Sequence, residues 1–113
     1  MLIQIADPDM DFPEPAHAFK ERHFFKFLDI EEGDEGVDLY GIKDEDAKNL
    51  VELLQRALSS RMNVVVHCTA GVCRSGAVTE VGVMMGFSDT ERFRQPNLLV
   101  KKKMMKVLGW TYD

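Results

Sequence analysis

Cys68 and Arg74 are separated by five residues in the stretch Val64-Val65-Val66-His67-Cys68-Thr69-Ala70-Gly71-Val72-Cys73-Arg74-Ser75-Gly76. An isolated thiol titrates near ~8.5 and is mostly protonated at neutral pH. A cysteine facing the first turn of a helix, with a guanidinium beside it, is pushed toward the thiolate. The unsatisfied N–H groups of such a loop and helix start can also cradle the oxygens of a tetrahedral anion. Arg74 adds a planar fork that grips two oxygens at once, which a lysine does less well. Gly71 lets the backbone curl by taking positive φ. The residue types therefore point to a nucleophilic sulfur held against a phosphate-like anion.

These groups need elements to aim them. The continuous apolar run Val64–Val66 predicts a buried parallel strand, and the apolar residues after Ser75 predict a helix over about 75–85 with Gly86 as its C-cap. Upstream, Leu2–Ile5 reads as a strand closed by Asp7-Pro8-Asp9. Residues 9–22 read as a loop with a helical turn near 16–22. The aromatic-rich His23–Ile30 reads as a second strand. Glu31–Asp38, with five acids and two glycines, predicts an exposed loop whose like charges favour mobility.

Asp44 reads as the N-cap of a helix that carries Ala47, Leu50, Val51, Leu54, Ala57 and Leu58 at amphipathic spacing. Arg56 suits its C-terminal turn. Ser88-Asp89-Thr90-Glu91 is a capping-box pattern opening a short helix. Asn97 can cap a last helix over about 98–108, ended by Gly109. Strand, helix and strand make a βαβ unit. The expected fold is one three-layer α/β domain over residues 1–113, with a small, mostly parallel central sheet and helices on both faces. The reactive loop then lies at the C-terminal end of its strand, where open α/β sheets place ligands.

With 113 residues, 45 % of them apolar, the chain can bury one modest core. Its net charge of −5 argues against nucleic acid or an anionic membrane surface as the main partner. No window reaches the ~18 apolar residues of a spanning helix, and the start has no basic leader. A cytoplasmic monomer is expected. The spacing of the two cysteines is not that of a secreted disulfide framework.

The pattern His67-Cys68-(five residues)-Arg74-Ser75, within "VHCTAGVCRSG", resembles the signature of the cysteine-dependent protein tyrosine phosphatases, and in particular their dual-specificity branch. "LIQIADP" and "FFKFLDI" precede it in the order seen in small phosphatase-like proteins of bacteria and phages. The resemblance implies a phosphatase-like α/β fold and a two-step hydrolysis of phosphate monoesters. Cys68 would attack phosphorus and form a phosphocysteine. The loop Thr69, Ala70, Gly71, Val72, Cys73 and Arg74 would bind the phosphoryl oxygens. Ser75 would hydrogen-bond the sulfur and help it leave, and His67 would tune the thiolate from behind.

A carboxylic acid would protonate the leaving oxygen. Asp29 is the first candidate, because Phe25-x-Phe27-x-Asp29 matches the family's apolar-x-apolar-x-Asp. Asp34, whose spacing to the cysteine is closer to typical dual-specificity enzymes, is the second, and Asp38 a third. The implied substrate is a phosphorylated protein, phosphotyrosine first, and neither metal nor cofactor is required. Asn97 after Pro96 resembles the Pro-Asn that supports the catalytic loop in that family.

Two other functions compete: a phospho-binding pseudoenzyme that keeps the pocket without the chemistry, and a rhodanese-like sulfurtransferase. Several polar residues have plainer readings. His17 and His23 fit local packing or capping, and Lys101–Lys103 a solvated helix face, with a docking patch as the alternative. Arg92 and Arg94 either solvate a helix or guide phosphate. Cys73 is a loop filler or a resolving thiol for Cys68.

Overall fold

The computed structural model describes residues 1–12, 14–15, 18–68, 73–89 and 94–110. Among them the strands are β1 (Leu2–Ala6), β2 (Arg22–Lys26) and β3 (Val65–Cys68). The helices are α1 (Val37–Tyr40), α2 (Asp44–Ser59), α3 (Arg74–Met85) and α4 (Leu98–Val107). The chain order is β1-β2-α1-α2-β3-α3-α4.

The fold is α/β, as the pattern predicts, and its sheet is parallel throughout, with strand order β2-β1-β3. β1 is the central strand. All five of its residues are buried, which is why Leu2-Ile3-Gln4-Ile5-Ala6 reads as a nearly continuous apolar run. Its one polar side chain, Gln4, accepts a hydrogen bond at Oε1 from Arg22 Nη2 at 3.1 Å. Because side chains alternate across a strand, Ile3 and Ile5 share one face with Phe25 and Cys68, the register partners of Ile5. That face joins the core formed by Leu50, Val51 and Leu54 of α2, Val78 and Val81 of α3, and Val100 and Met104 of α4. On the other face Phe12 packs on Phe24, with ring centroids 4.7 Å apart.

The register has a direct consequence for the site. Ile5 lies level with Cys68, and Ala6 with Lys26, so the residues just past β1, past β2 and at the end of β3 meet along one rim of the sheet.

Several elements begin or end away from their sequence-based limits. β2 stops at Lys26 instead of running to Ile30. Phe27 N still donates to Ala6 O at 3.1 Å, but Leu28 N turns away to Tyr40 O at 2.7 Å. The N-cap of α2 is Lys43, not Asp44: the Asp46 carboxylate reaches back to accept from Lys43 N at 3.1 Å, while Asp44 pairs with Lys103 of α4 at 3.0 Å. Residues 18–21 form no helical turn, and Ala16 and His17 lie outside the described residues. The segment 31–38 is hydrogen-bonded rather than loose, and its end forms the start of the short helix α1. Glu31 accepts from the first two amides of α4, Leu98 N at 2.9 Å and Leu99 N at 2.8 Å. Like charges repel, but Glu31, Glu32 and Asp34 each have a specific donor.

α3 and α4 end as expected, with Gly86 at φ 131° and Gly109 at φ 77°, conformations that favour glycine. The lysines of α4 tie neighbouring elements together: Lys101 to Glu80 at 2.6 Å, Lys102 to Glu32 at 3.0 Å and Lys103 to Asp44. No helix among the described residues is long and apolar enough to cross a membrane.

Candidate active site

Cys68 is the last residue of β3, fully buried. Its Sγ lies 3.2 Å from Ser75 Oγ, in the first turn of α3. The strand-to-helix reversal expected from the sequence therefore brings sulfur and hydroxyl into contact, and a serine hydroxyl can donate to a thiolate. His67, one residue earlier, points to the opposite face of the sheet and is exposed. Thr69, Ala70, Gly71 and Val72, the middle of the expected phosphate loop, lie outside the described residues.

Arg74 opens α3 and is buried, its side chain 4 % exposed. Its Nη1 donates to Asp7 Oδ1 and to the carbonyl oxygen of Phe27, each at 2.7 Å. Asp7 follows β1 and Phe27 follows β2, so the guanidinium is held by the ends of two strands while Cys68 ends the third. Its Nε is buried with no hydrogen-bond partner among the described residues. A buried donor without an acceptor is costly. Among the described residues the fork is anchored through Nη1, and its Nε can still donate to an acceptor such as an oxyanion.

The two candidate acids are placed differently. Asp34 accepts from Glu31 N at 2.7 Å through Oδ2 and closes its own exposed turn. Asp29 accepts from Asn97 Nδ2 at 2.6 Å through Oδ1. Asp38 contributes its backbone carbonyl to Lys43 Nζ. Of the three, Asp29 is the one tied to the loop, through Asn97, whose backbone N–H bonds the Cys73 carbonyl.

Asn97 fastens this arrangement, 2 % exposed at the head of α4. Its Oδ1 accepts from Val100 N at 3.0 Å, the N-cap bond. Its Nδ2 donates to Asp29 and, at 3.1 Å, to Ile30 O. Its own backbone N–H donates to Cys73 O at 2.9 Å. The cap bond assigns the amide orientation, since only the oxygen can accept from Val100.

Cys73 is half-buried, and its thiol is held above its ordinary pKa, first by burial and then by the negative charge of Asp29. Arg74 opposes this shift less strongly. Cys73 is a thiol, as is Cys68.

The remaining candidates engage other partners or lie outside the described residues. Arg94 grips Asp89 with both terminal nitrogens, at 2.9 and 3.3 Å. His23 Nε2 is 2.6 Å from Glu21 Oε1, consistent with a local role. Arg92 and the end of the capping-box pattern, Thr90 and Glu91, lie outside the described residues.

Sequence reasoning missed Asp7, taken only as part of a strand-breaking turn. The available signal was an acid directly after a buried strand, at the sheet rim where ligand sites gather. It also missed Glu31 as the anchor of α4, for which the sequence offers only proximity to Asp29. Compared with models of known protein families and with curated proteins, the sequence matches none.

Proposed function

We propose that the chain hydrolyses phosphate monoesters through a phosphocysteine intermediate, with a phosphorylated protein, phosphotyrosine first, as the substrate class. The observation that carries this reading is the state of Arg74. It is buried beside the Cys68–Ser75 pair, anchored through Nη1 to Asp7 and Phe27, and left with an unpartnered buried Nε among the described residues. Two equatorial phosphoryl oxygens are the acceptors that an arginine fork fits best.

In the first step Cys68 Sγ attacks phosphorus, and the ester oxygen leaves with a proton from Asp29. The negative charge on the transferring phosphoryl group is met by Arg74 and by backbone N–H groups of the loop. In the second step water attacks the phosphocysteine. Asp29, now ionised, takes the proton from that water, and the departing sulfur is received by the Ser75 hydroxyl.

p-Nitrophenyl phosphate is the direct probe. The expected result is vanadate-sensitive release of nitrophenol that Cys68→Ser abolishes; full activity in that variant sinks the proposal. Binding of phosphotyrosine without turnover would instead support the pseudoenzyme.

A further inference from the structure

β3 lies at the edge of the sheet, with β1 on one side and no strand on the other among the described residues. Val65 N donates inward to Met1 O at 2.9 Å. Along a strand, successive residues turn their backbone N–H and C=O to opposite sides. Those of Val66 therefore point away from β1, and the edge keeps a donor and an acceptor for a further strand.

Beside this edge runs a groove of about 730 Å³, between β3, the end of α2 and one side of α3. Leu58, Val64, Val66, Val83 and Phe87 line it with half-buried apolar side chains. Arg61, in the turn between α2 and β3, is exposed in its wall. Arg22, Arg56, Arg74 and Arg94 each pair with a carboxylate, whereas Arg61 pairs with none among the described residues.

We propose that the β3 edge and this groove bind an extended, acidic peptide segment of a partner protein by strand addition. Backbone hydrogen bonds to Val66 hold the segment in register, every second side chain enters the groove, and a carboxylate meets Arg61. A second copy of the chain would present the same groove and the same cation at this edge, and so would fill neither. Such binding needs no turnover and does not depend on the phosphatase reading.

The test uses capped peptides of the frame acetyl-X-Thr-Val-Thr-Val-X-amide, with X glutamate, glutamine or lysine, followed by the amide shifts of the isotope-labelled chain. The glutamate peptide is expected to bind saturably, with shifts gathered at Val64–Val66, Val83 and Phe87. Glutamine should weaken it about two- to fivefold, the worth of an exposed ion pair. Arg61→Gln should level the two, and Arg61→Glu should make the lysine peptide the tightest. Arg61 is exposed, so both variants should keep the parent's amide spectrum elsewhere. No saturable binding, equal affinity for all three peptides in the parent, or an unchanged order in Arg61→Glu overturns the proposal.

N-methylation tests the strand pairing itself. An added strand turns only every second N–H toward β3. Of two glutamate peptides methylated at alternating positions, one should bind like the unmethylated peptide and the other about tenfold more weakly. Equal behaviour of the two overturns strand addition. Sedimentation without peptide should show a monomer; a dimer that the peptide dissolves would assign the edge to a second copy and overturn the proposal.

Discussion

Arg74 Nη1 lies 2.7 Å from Asp7 Oδ1, joining residues 67 positions apart. The parallel register makes this contact possible, because it sets the ends of β1 and β3 at the same rim. A buried guanidinium without a counter-charge is expensive, and breaking a fully buried pair costs about 3–5 kcal/mol. Asp7 is 29 % exposed, so solvent screening reduces this; Asp7→Ala is expected to lose about 1–3 kcal/mol in urea unfolding. Vanadate affinity should fall in parallel, because the fork loses one of its two anchors and keeps only the Phe27 carbonyl. Asp7→Asn keeps an acceptor oxygen and should lie between parent and Asp7→Ala on both measurements.

The two carboxylates should separate cleanly in kinetics. Asp29→Asn is expected to lower kcat on phenyl phosphate by about 10²-fold and to remove one limb of the pH–rate profile. Asp34→Asn should change kcat by less than about twofold, because that side chain closes its own exposed turn. A larger effect at Asp34 than at Asp29 would reverse the assignment of the acid.

Ser75 touches the sulfur, and its effect should be confined to the step in which sulfur leaves. Ser75→Ala is expected to retain the first step and slow the second, so that a phosphocysteine accumulates. A burst of nitrophenol followed by slow turnover, with a mass increase trapped on Cys68, is the signature. Slowing without a burst would place Ser75 in the first step instead.

Asn97 combines a helix cap with two bonds to the segment carrying Asp29. Asn97→Ala is expected to cost about 1 kcal/mol for the cap and about 1 kcal/mol more for the buried partners left at Asp29 and Ile30. Asn97→Asp should restore the cap but place a second carboxylate against Asp29. Its stability should therefore recover less at neutral pH than at low pH, where that repulsion is relieved.

Glu21 governs acid stability at the other end of the sheet. Hydrogen bonds from Arg56 and His23 hold its carboxyl at about 2, against an ordinary value of 4.5. A depressed native value stabilises the folded state above the unfolded pKa, and that contribution is lost as pH falls. It should be complete above about pH 4.5 and disappear toward about pH 2. Glu21→Gln should flatten the unfolding free energy across that window without changing its slope near neutrality.

The helices and the reactive loop were readable in sequence to different depths. α2 was legible because five buried residues repeat at helical spacing, although its first residue depended on Asp46 bonding back to Lys43. α4 was legible because Asn97 and Gly109 carry strong local signals at its ends. The length of β2 was not. Phe27-Leu28-Asp29-Ile30 has strand composition, yet Leu28 bonds to Tyr40, a partner that only folding supplies. The acidic segment 31–38 looked loose by its charge, but the donors that hold it at Glu31 and Glu32 belong to α4.

What the sequence by itself determined is local: the β-branched run into Cys68, the return to Arg74 and Ser75, and the capped helix after them. Spacing along the chain suffices there, because the sulfur and the hydroxyl are seven positions apart on one strand-to-helix turn. The tertiary structure alone decided what surrounds that turn. Asp7 at Arg74 and Asp29 at Asn97 are joined across 67 and 68 positions. Such contacts follow from strand order, parallel register and helix packing, which aim side chains that no periodicity of the chain brings together.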